Sequence, residues 1–217
     1  MMKRLTLIAA LVLVLLALGL ATASAQDAPV LNAIVERGSL NCGVNNTLPG
    51  FGFPNDAGEF EGFDVDFCRA VAAAVLGDAN AVNFRPLTAA ERPTALGAGE
   101  IDLLSRNTTW TLSRDTTWGA TFAPTTFYDG QGVMVRVADG ISTLEDLEGG
   151  TICTNAGTTT ELNISDAMGS RGLDFDLQTF QDFDAVMDAF NEGRCDAVTS
   201  DKSGLLARKA THADPGS

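Results

Sequence analysis

The sequence predicts an α/β protein built as two similar lobes with a ligand cleft between them. Short apolar runs of strand length alternate along it with longer stretches of helical periodicity that end in glycine. A second observation is an internal correspondence. Ala95-Leu96-Gly97-Ala98-Gly99-Glu100-Ile101-Asp102 parallels Ala189-Phe190-Asn191-Glu192-Gly193-Arg194-Cys195-Asp196, each a helix end, a glycine cap and a strand opening on x-x-Asp. Five residues past each aspartate lie Asn107 and Asp201, so two similar strands carry an amide and a carboxylate to matching tips. The third is the run Ile101–Arg114. An apolar strand, Ile101 to Leu104, breaks into Ser105, Arg106, Asn107, Thr108 and Thr109, with Arg114 following. Ligands of open α/β sheets bind beyond the carboxyl ends of strands, and arginine clamps carboxylates with paired hydrogen bonds. If the lobes face each other, the two tips meet across the cleft.

Composition bounds the function. The 217 residues hold one large or two small domains, and a formal charge of −14 argues against binding nucleic acid or anionic membrane. One histidine, His212, makes a His-based metal site or a Ser-His-Asp triad improbable, and no C-x-x-C spacing suggests zinc. Neither metal nor cofactor is expected. Residues 1–25 read as a secretory signal peptide: Lys3 and Arg4, the apolar run Leu5 to Leu20, then Ala23-Ser24-Ala25, with cleavage after Ala25. Export brings Cys42, Cys68, Cys153 and Cys195 into an oxidising compartment. Four cysteines allow three connectivities; Cys42–Cys68 with Cys153–Cys195 is favoured because each pair then falls within one half.

In chain order, Leu31 to Gly38 reads as a short helix closed by its glycine, and Ser39 to Val44 as a strand. Asn45 to Pro54 is a loop whose Leu48, Phe51 and Phe53 either cover the core edge or form an apolar wall for a ligand. Gly62 to Gly77 is the clearest helix. Phe67, Ala70, Val71, Ala74 and Val75 form its expected apolar stripe, and Asp64 and Asp66 complement its macrodipole. Asn83 to Leu87 is the next strand. Thr88 and Glu91 have capping-box spacing for a helix through Leu96, although Pro93 conflicts with that register and moves the start toward Arg92. Thr116 to Thr126 is read as loop and strand, Tyr128 to Arg136 as a strand, and Ser142 to Leu147 as a helix start. Strands at Thr151 to Thr154, Phe175 to Phe180 and Cys195 to Thr199 then alternate with helices after Gly157 and from Asp182 to Phe190.

Gly62-Phe63-Asp64-Val65-Asp66-Phe67, followed by Val71, Ala72 and Val75, resembles the signature of family 3 extracellular solute-binding proteins. SRNTTWTLSR, YDGQG at Tyr128 to Gly132 and GTTTELN at Gly157 to Asn163 are similar to the periplasmic general L-amino-acid and glutamate/glutamine-binding branch. The resemblance implies a type II periplasmic-binding-protein-like fold, with lobe 1 over residues 26–131 and lobe 2 over 132–217. It implies a monomeric periplasmic receptor that closes on a free L-amino acid and delivers it to an inner-membrane ABC permease. It also implies roles. Arg114, Thr109 and the helix start at Thr158 and Thr159 would hold the carboxylate; Asp201 and Asn107 the ammonium; Leu48 and Phe51 the apolar wall. Many relatives place an aromatic ring where Leu48 stands. Arg106 near the side-chain pocket would favour acidic or amide ligands. An exported enzyme on the same fold, such as a cyclohexadienyl dehydratase, is the rival, and needs a general acid in the cleft. Relatives cross back to the first lobe after the second, so the chain reads as C-terminally truncated.

Overall fold

A computed structural model describes residues 28–212 and Gly216. The expected signal peptide and its cleavage site lie outside the described residues. The chain divides into two units, Met1–Ala33 and Ile34–Ser217, and apart from residues 29–33 the architecture below belongs to the second.

After helix α1 (Pro29–Arg37), the first half builds a parallel three-stranded sheet from β1 (Leu40–Val44), β4 (Val82–Pro86) and β5 (Leu103–Leu104), in the order β4-β1-β5. Its connections carry α2 (Phe63–Leu76), α3 (Arg92–Gly97) and, beyond β5, α4 (Leu112–Thr117). A second sheet has the order β6-β9-β7-β8, from β6 (Gln131–Val135), β7 (Thr151–Asn155), β8 (Asp176–Phe180) and β9 (Ala197–Asp201). Helices α5 (Thr159–Gly169), α6 (Phe183–Asn191) and α7 (Lys202–Thr211) complete it. β6 alone runs antiparallel to its neighbour in this sheet.

The internal correspondence has a structural basis. In the first half, the Asp102 N–H donates to the Asn41 carbonyl, and the Asp102 carboxylate accepts the Asn41 N–H at 2.8 Å. In the second half, the Asp196 N–H donates to the Thr151 carbonyl, and the Asp196 carboxylate accepts the Thr151 N–H at 2.7 Å. Each aspartate thus makes a closed pair with the first turn of the neighbouring strand. Register follows: Cys42 lies opposite Leu103, and Cys153 opposite Val198.

Both disulfides join the expected partners. Cys42–Cys68 ties β1 to α2, and Cys153–Cys195 ties β7 to the residue that leads into β9, with Cα separations of 6.1 and 5.9 Å. Each bridge sits inside a packed cluster. Ile34, Leu40, Val44, Val65 and Ala72 surround the first; Phe183, Val186, Phe190 and Val198 surround the second. Leu147, Ile152, Ile164, Met168 and Ala197 fill the other face of the second sheet.

Four local expectations are corrected. In α2 the buried positions are Asp64, Val65, Cys68 and Ala72, whereas Phe67, Ala70 and Ala74 are exposed. The disulfide decides the rotation, because Cys68 must face β1. Asp64, assigned to the macrodipole, is carried inward by the same rotation. Thr116 to Thr126 forms the end of α4 and irregular chain rather than a strand. Ser142 to Leu147 forms only a 3-10 turn at Glu145–Leu147, since Asp146 takes the Ser142 and Thr143 N–H groups that a longer helix would start from. The loop after β1 is more ordered than expected, pairing β2 (Phe53–Pro54) with β3 (Phe60–Glu61). The Thr88 and Glu91 capping box does form, and α3 begins beyond it at Arg92, which places Pro93 in the first turn, where its missing N–H has no intrahelical partner to lose.

The bridges close chain separations of 26 and 42 residues. Loop-closure entropy then predicts that replacing either pair by alanine lowers unfolding free energy by about 3–4 kcal/mol. Denaturant titration of each double variant under oxidising conditions measures it, with the larger loss expected for Cys153–Cys195.

Candidate functional site

The carboxyl ends of the parallel strands converge on one cavity. β1 delivers Asn45, Thr47 and Leu48; β4 delivers Leu87 and Thr88; β5 delivers Arg106 and Asn107. From the second sheet, β7 leads to Thr158 and Thr159, β8 to Gln181 and Asp182, and β9 to Ser200 and Asp201. The rule that ligands sit beyond strand ends therefore accounts for most of the lining.

Of the nine residues expected from sequence, Leu48, Arg106, Asn107, Thr109, Arg114, Thr158, Thr159 and Asp201 line this cavity. Phe51 does not. Its ring packs edge-on against Phe63 at 6.1 Å and Phe127 at 5.2 Å, so it belongs to an aromatic cluster beside the cavity. The bridge between Leu48 and Gly52 turns that loop so that Leu48 lines the cavity and Phe51 does not.

The matching tips meet. Asn107 Nδ2 donates to Asp201 Oδ2 at 3.1 Å, while its Oδ1 accepts from buried Asn45 Nδ2 at 3.1 Å and from Arg106 at 3.2 Å. Alongside, the Thr109 and Thr159 hydroxyls lie 3.0 Å apart. Thr158 caps α5, its hydroxyl accepting the Glu161 N–H at 3.2 Å and donating to the Asn155 carbonyl at 2.7 Å. The start of that helix, with its free N–H groups and partial positive charge, faces the cavity. Gly157 precedes it at φ +74, and a Cβ there would come within 3.3 Å of the Ala90 backbone, so close approach of the halves needs glycine.

Three guanidinium groups share the cavity. Arg114, positioned by the Thr111 cap of α4, donates to the Thr109 carbonyl at 2.9 Å and the Gly157 carbonyl at 3.4 Å. Arg106 donates to the Leu87 carbonyl and to Asn107. The third, Arg92, is 2% exposed and was not singled out from sequence. It donates to the carbonyls of Ala89, Asn107 and Gly157 and to the Thr108 hydroxyl. Arg92 and Arg114 both lie over the Trp118 ring, at 5.6 and 5.1 Å. Every acceptor these groups have among the described residues is uncharged. Burial, reinforced by the charges of Arg106 and Arg114, pulls Arg92 down to about 8. Burial likewise pulls Arg106 down to about 10, against the opposing pull of Asp64 and Asp201, and lowers Arg114. Burial raises Asp201, opposed by its bond from Asn107. The cavity thus gathers three cationic groups against two lining carboxylates, Asp182 and Asp201, neither of which accepts a hydrogen bond from a guanidinium. A ligand with carboxylate and ammonium ends would complete both sides.

The signal for Arg92 was present but weak: a charged residue between a capping box and a proline, whose burial depends on Gly157 arriving from the other half. Asn45, Thr88, Gln181 and Asp182 were legible from the strand-end rule alone. No group of three or more His, Cys, Asp or Glu side chains able to hold a metal occurs among the described residues.

The family described as bacterial extracellular solute-binding proteins, family 3, matches residues 40–167. The general L-amino acid-binding periplasmic protein AapJ of Rhizobium johnstonii is 46% identical over 214 residues, covering 99% of this chain and 62% of AapJ. The glutamate/glutamine/aspartate/asparagine-binding protein BztA of Rhodobacter capsulatus is 44% identical over 195 residues, covering 90% and 58%. This chain therefore spans about three-fifths of the length of these relatives. Among solved structures, a periplasmic binding protein from Brucella ovis with glutathione bound superposes with a TM-score of 0.82 at 47% identity, covering 87% of this chain and 60% of that one. An ancestral arginine-binding protein bound to arginine gives 0.73 at 31% identity, covering 83% and 77%.

Asp64, behind Arg106, has a pH consequence. Burial raises its carboxyl from 3.8 to about 6, only partly opposed by Arg106, and its Oδ2 has no hydrogen-bond partner. The folded state then holds the proton more tightly than the unfolded chain. That stabilisation is present below about pH 4 and is lost as pH rises through about 6. Asp64→Asn is expected to stabilise the protein at pH 7.5 by as much as about 3 kcal/mol and to change little at pH 4. Denaturation midpoints at the two pH values check it; equal effects at both would contradict the assignment.

Proposed function

The chain belongs to family 3 of the bacterial extracellular solute-binding proteins, a family of two-lobed α/β folds, and from that premise we propose that it is the periplasmic receptor of a polar L-amino-acid ABC importer. It is exported by the signal peptide of residues 1–25, with lobe 1 over 26–131 and lobe 2 over 132–217. It closes as a monomer around a free amino acid and passes it to an inner-membrane permease. The receptor works by binding and catalyses no reaction.

The observation that carries this reading is the cavity in which Asn107 meets Asp201 beside three guanidinium groups with only uncharged acceptors. Arg114 binds the ligand carboxylate, with the Thr109 hydroxyl and the α5 start at Thr158 and Thr159. Asp201 takes the ammonium with Asn107, and Leu48 packs against the ligand stem. Arg106 and Arg92 then lie where the side chain ends, so acidic or amide side chains are favoured and cationic ones repelled. The names of AapJ and BztA, which bind L-amino acids, support the same substrate class.

Calorimetric titration with glutamate, glutamine, aspartate, asparagine, lysine and arginine tests the reading. Glutamate and glutamine are expected to bind more tightly than lysine; the reverse order would overturn the selectivity. Arg114→Ala is expected to cost about 2–5 kcal/mol of affinity, because the ligand carboxylate is left buried and unpaired. An affinity within twofold of wild type would remove Arg114 from the site.

A further inference from the structure

Helix α7 crosses from the second half to the first along a single face. Its cap residue, Asp201, receives the Asn107 amide at 3.1 Å. One turn on, Gly204 lies beside Leu48, where a Cβ would make ordinary contact with Leu48 Cδ1 at 3.4 Å. Another turn on, Arg208 donates to the Thr47 carbonyl in the loop after β1. Positions 201, 204 and 208 have the i, i+3, i+7 spacing of one helical stripe. The first two line the cavity; Arg208 does not.

Arg208 is held from its own side. Asp184 of α6 forms an ion pair with it, and its guanidinium lies 5.5 Å above the Phe183 ring. The Arg208 side chain is only 13% exposed, so the bond to Thr47 replaces water at a site from which water is largely excluded. A charge-assisted bond of this kind stabilises the closed arrangement whether or not a ligand fills the cavity. A binding protein's apparent affinity scales with the population of its closed, competent state.

We propose that Arg208 is an interlobe latch: a positioning residue that sets the lifetime of the closed form without touching the ligand. It rests on the receptor reading only where ligand release is concerned. Because Arg208 lies outside the cavity, its loss acts equally on every ligand. Arg106 and Arg92, inside it, act on selectivity.

The test uses the full chain with nitroxide labels on Ala57→Cys and Ser170→Cys, both exposed and in opposite halves. Electron–electron resonance distances are measured without ligand and with glutamate, alongside stopped-flow dissociation of glutamate and of glutamine. Arg208→Ala is expected to shift the ligand-free distances to longer values and to speed dissociation of both ligands about tenfold by the same factor, with association unchanged. Arg208→Lys, which keeps one donor and the charge, is expected to restore part of both effects. Should Arg208→Ala fail to fold, Asp184→Asn loosens the same side chain and is expected to move both readouts in the same direction by less. Unchanged distances, or dissociation rates within twofold of wild type, overturn the latch. Faster release of one ligand only would overturn it too, by placing Arg208 in the cavity. If wild type binds no amino acid, the receptor reading fails, and the ligand-free distances alone decide the latch.

Discussion

β5 is two residues long, too short for ladder bonds alone to hold its register firmly. The closed pair between Asp102 and the Asn41 backbone supplies what the ladder lacks, and Asp196 does the same against Thr151 for β9. Both carboxylates act locally on backbone N–H groups, so each anchors one strand start to its neighbour. The residue five positions on, Asn107 or Asp201, then arrives at a set height above its sheet. A slip of one residue would reverse the side chains of β5 or β9 and remove one partner of the Asn107–Asp201 bond. The disulfides work on the same neighbours, pinning α2 to β1 and the β9 approach to β7.

On that frame the cavity concentrates charge. Bringing Arg92, Arg106 and Arg114 together out of water is unfavourable, as their lowered proton affinities reflect. Carbonyls of Leu87, Ala89, Asn107, Thr109 and Gly157 accept N–H groups of all three without neutralising the charge, and the buried Arg106 Nε has no hydrogen-bond partner. An anion entering such a site would supply the negative charge that these uncharged acceptors do not. Asp201 gives the same site a place for a cationic end. One Gly157 carbonyl serves both Arg92 and Arg114, so the two halves are coupled through groups that line the cavity.

Much of this was legible because it depends on local rules. Gly38 and Gly77 close their helices in the left-handed conformation, Thr158 and Asp182 cap theirs, and Pro93 moves the start of α3 to Arg92. Asn107 and Asp201 came from counting along a repeated strand. The readings that failed were those in which a long-range contact overruled a local pattern. The α2 stripe was expected at Phe67, Ala70, Val71, Ala74 and Val75; Val71 and Val75 do pack against the core, but the bridge from Cys68 to Cys42 turned Val65 and Ala72 fully inward and left Phe67, Ala70 and Ala74 exposed. Phe51 was open to two readings, core-edge cover or ligand wall, and the contacts of its ring with Phe63 and Phe127 favour the first.

The sequence by itself determined the α/β alternation, most helix ends and the two strand tips, and favoured one of three pairings of the cysteines. Each follows from residue type and spacing within a short window or from the repeat. Only the tertiary structure decided that Arg92 is buried in the cavity, that Asp64 sits behind Arg106, and that α7 reaches Thr47 through Arg208. Those facts join residues that are 65 to 161 positions apart, or depend on the rotation of a whole helix. Nothing in a local window encodes such a distance, because it is set by how the two halves pack.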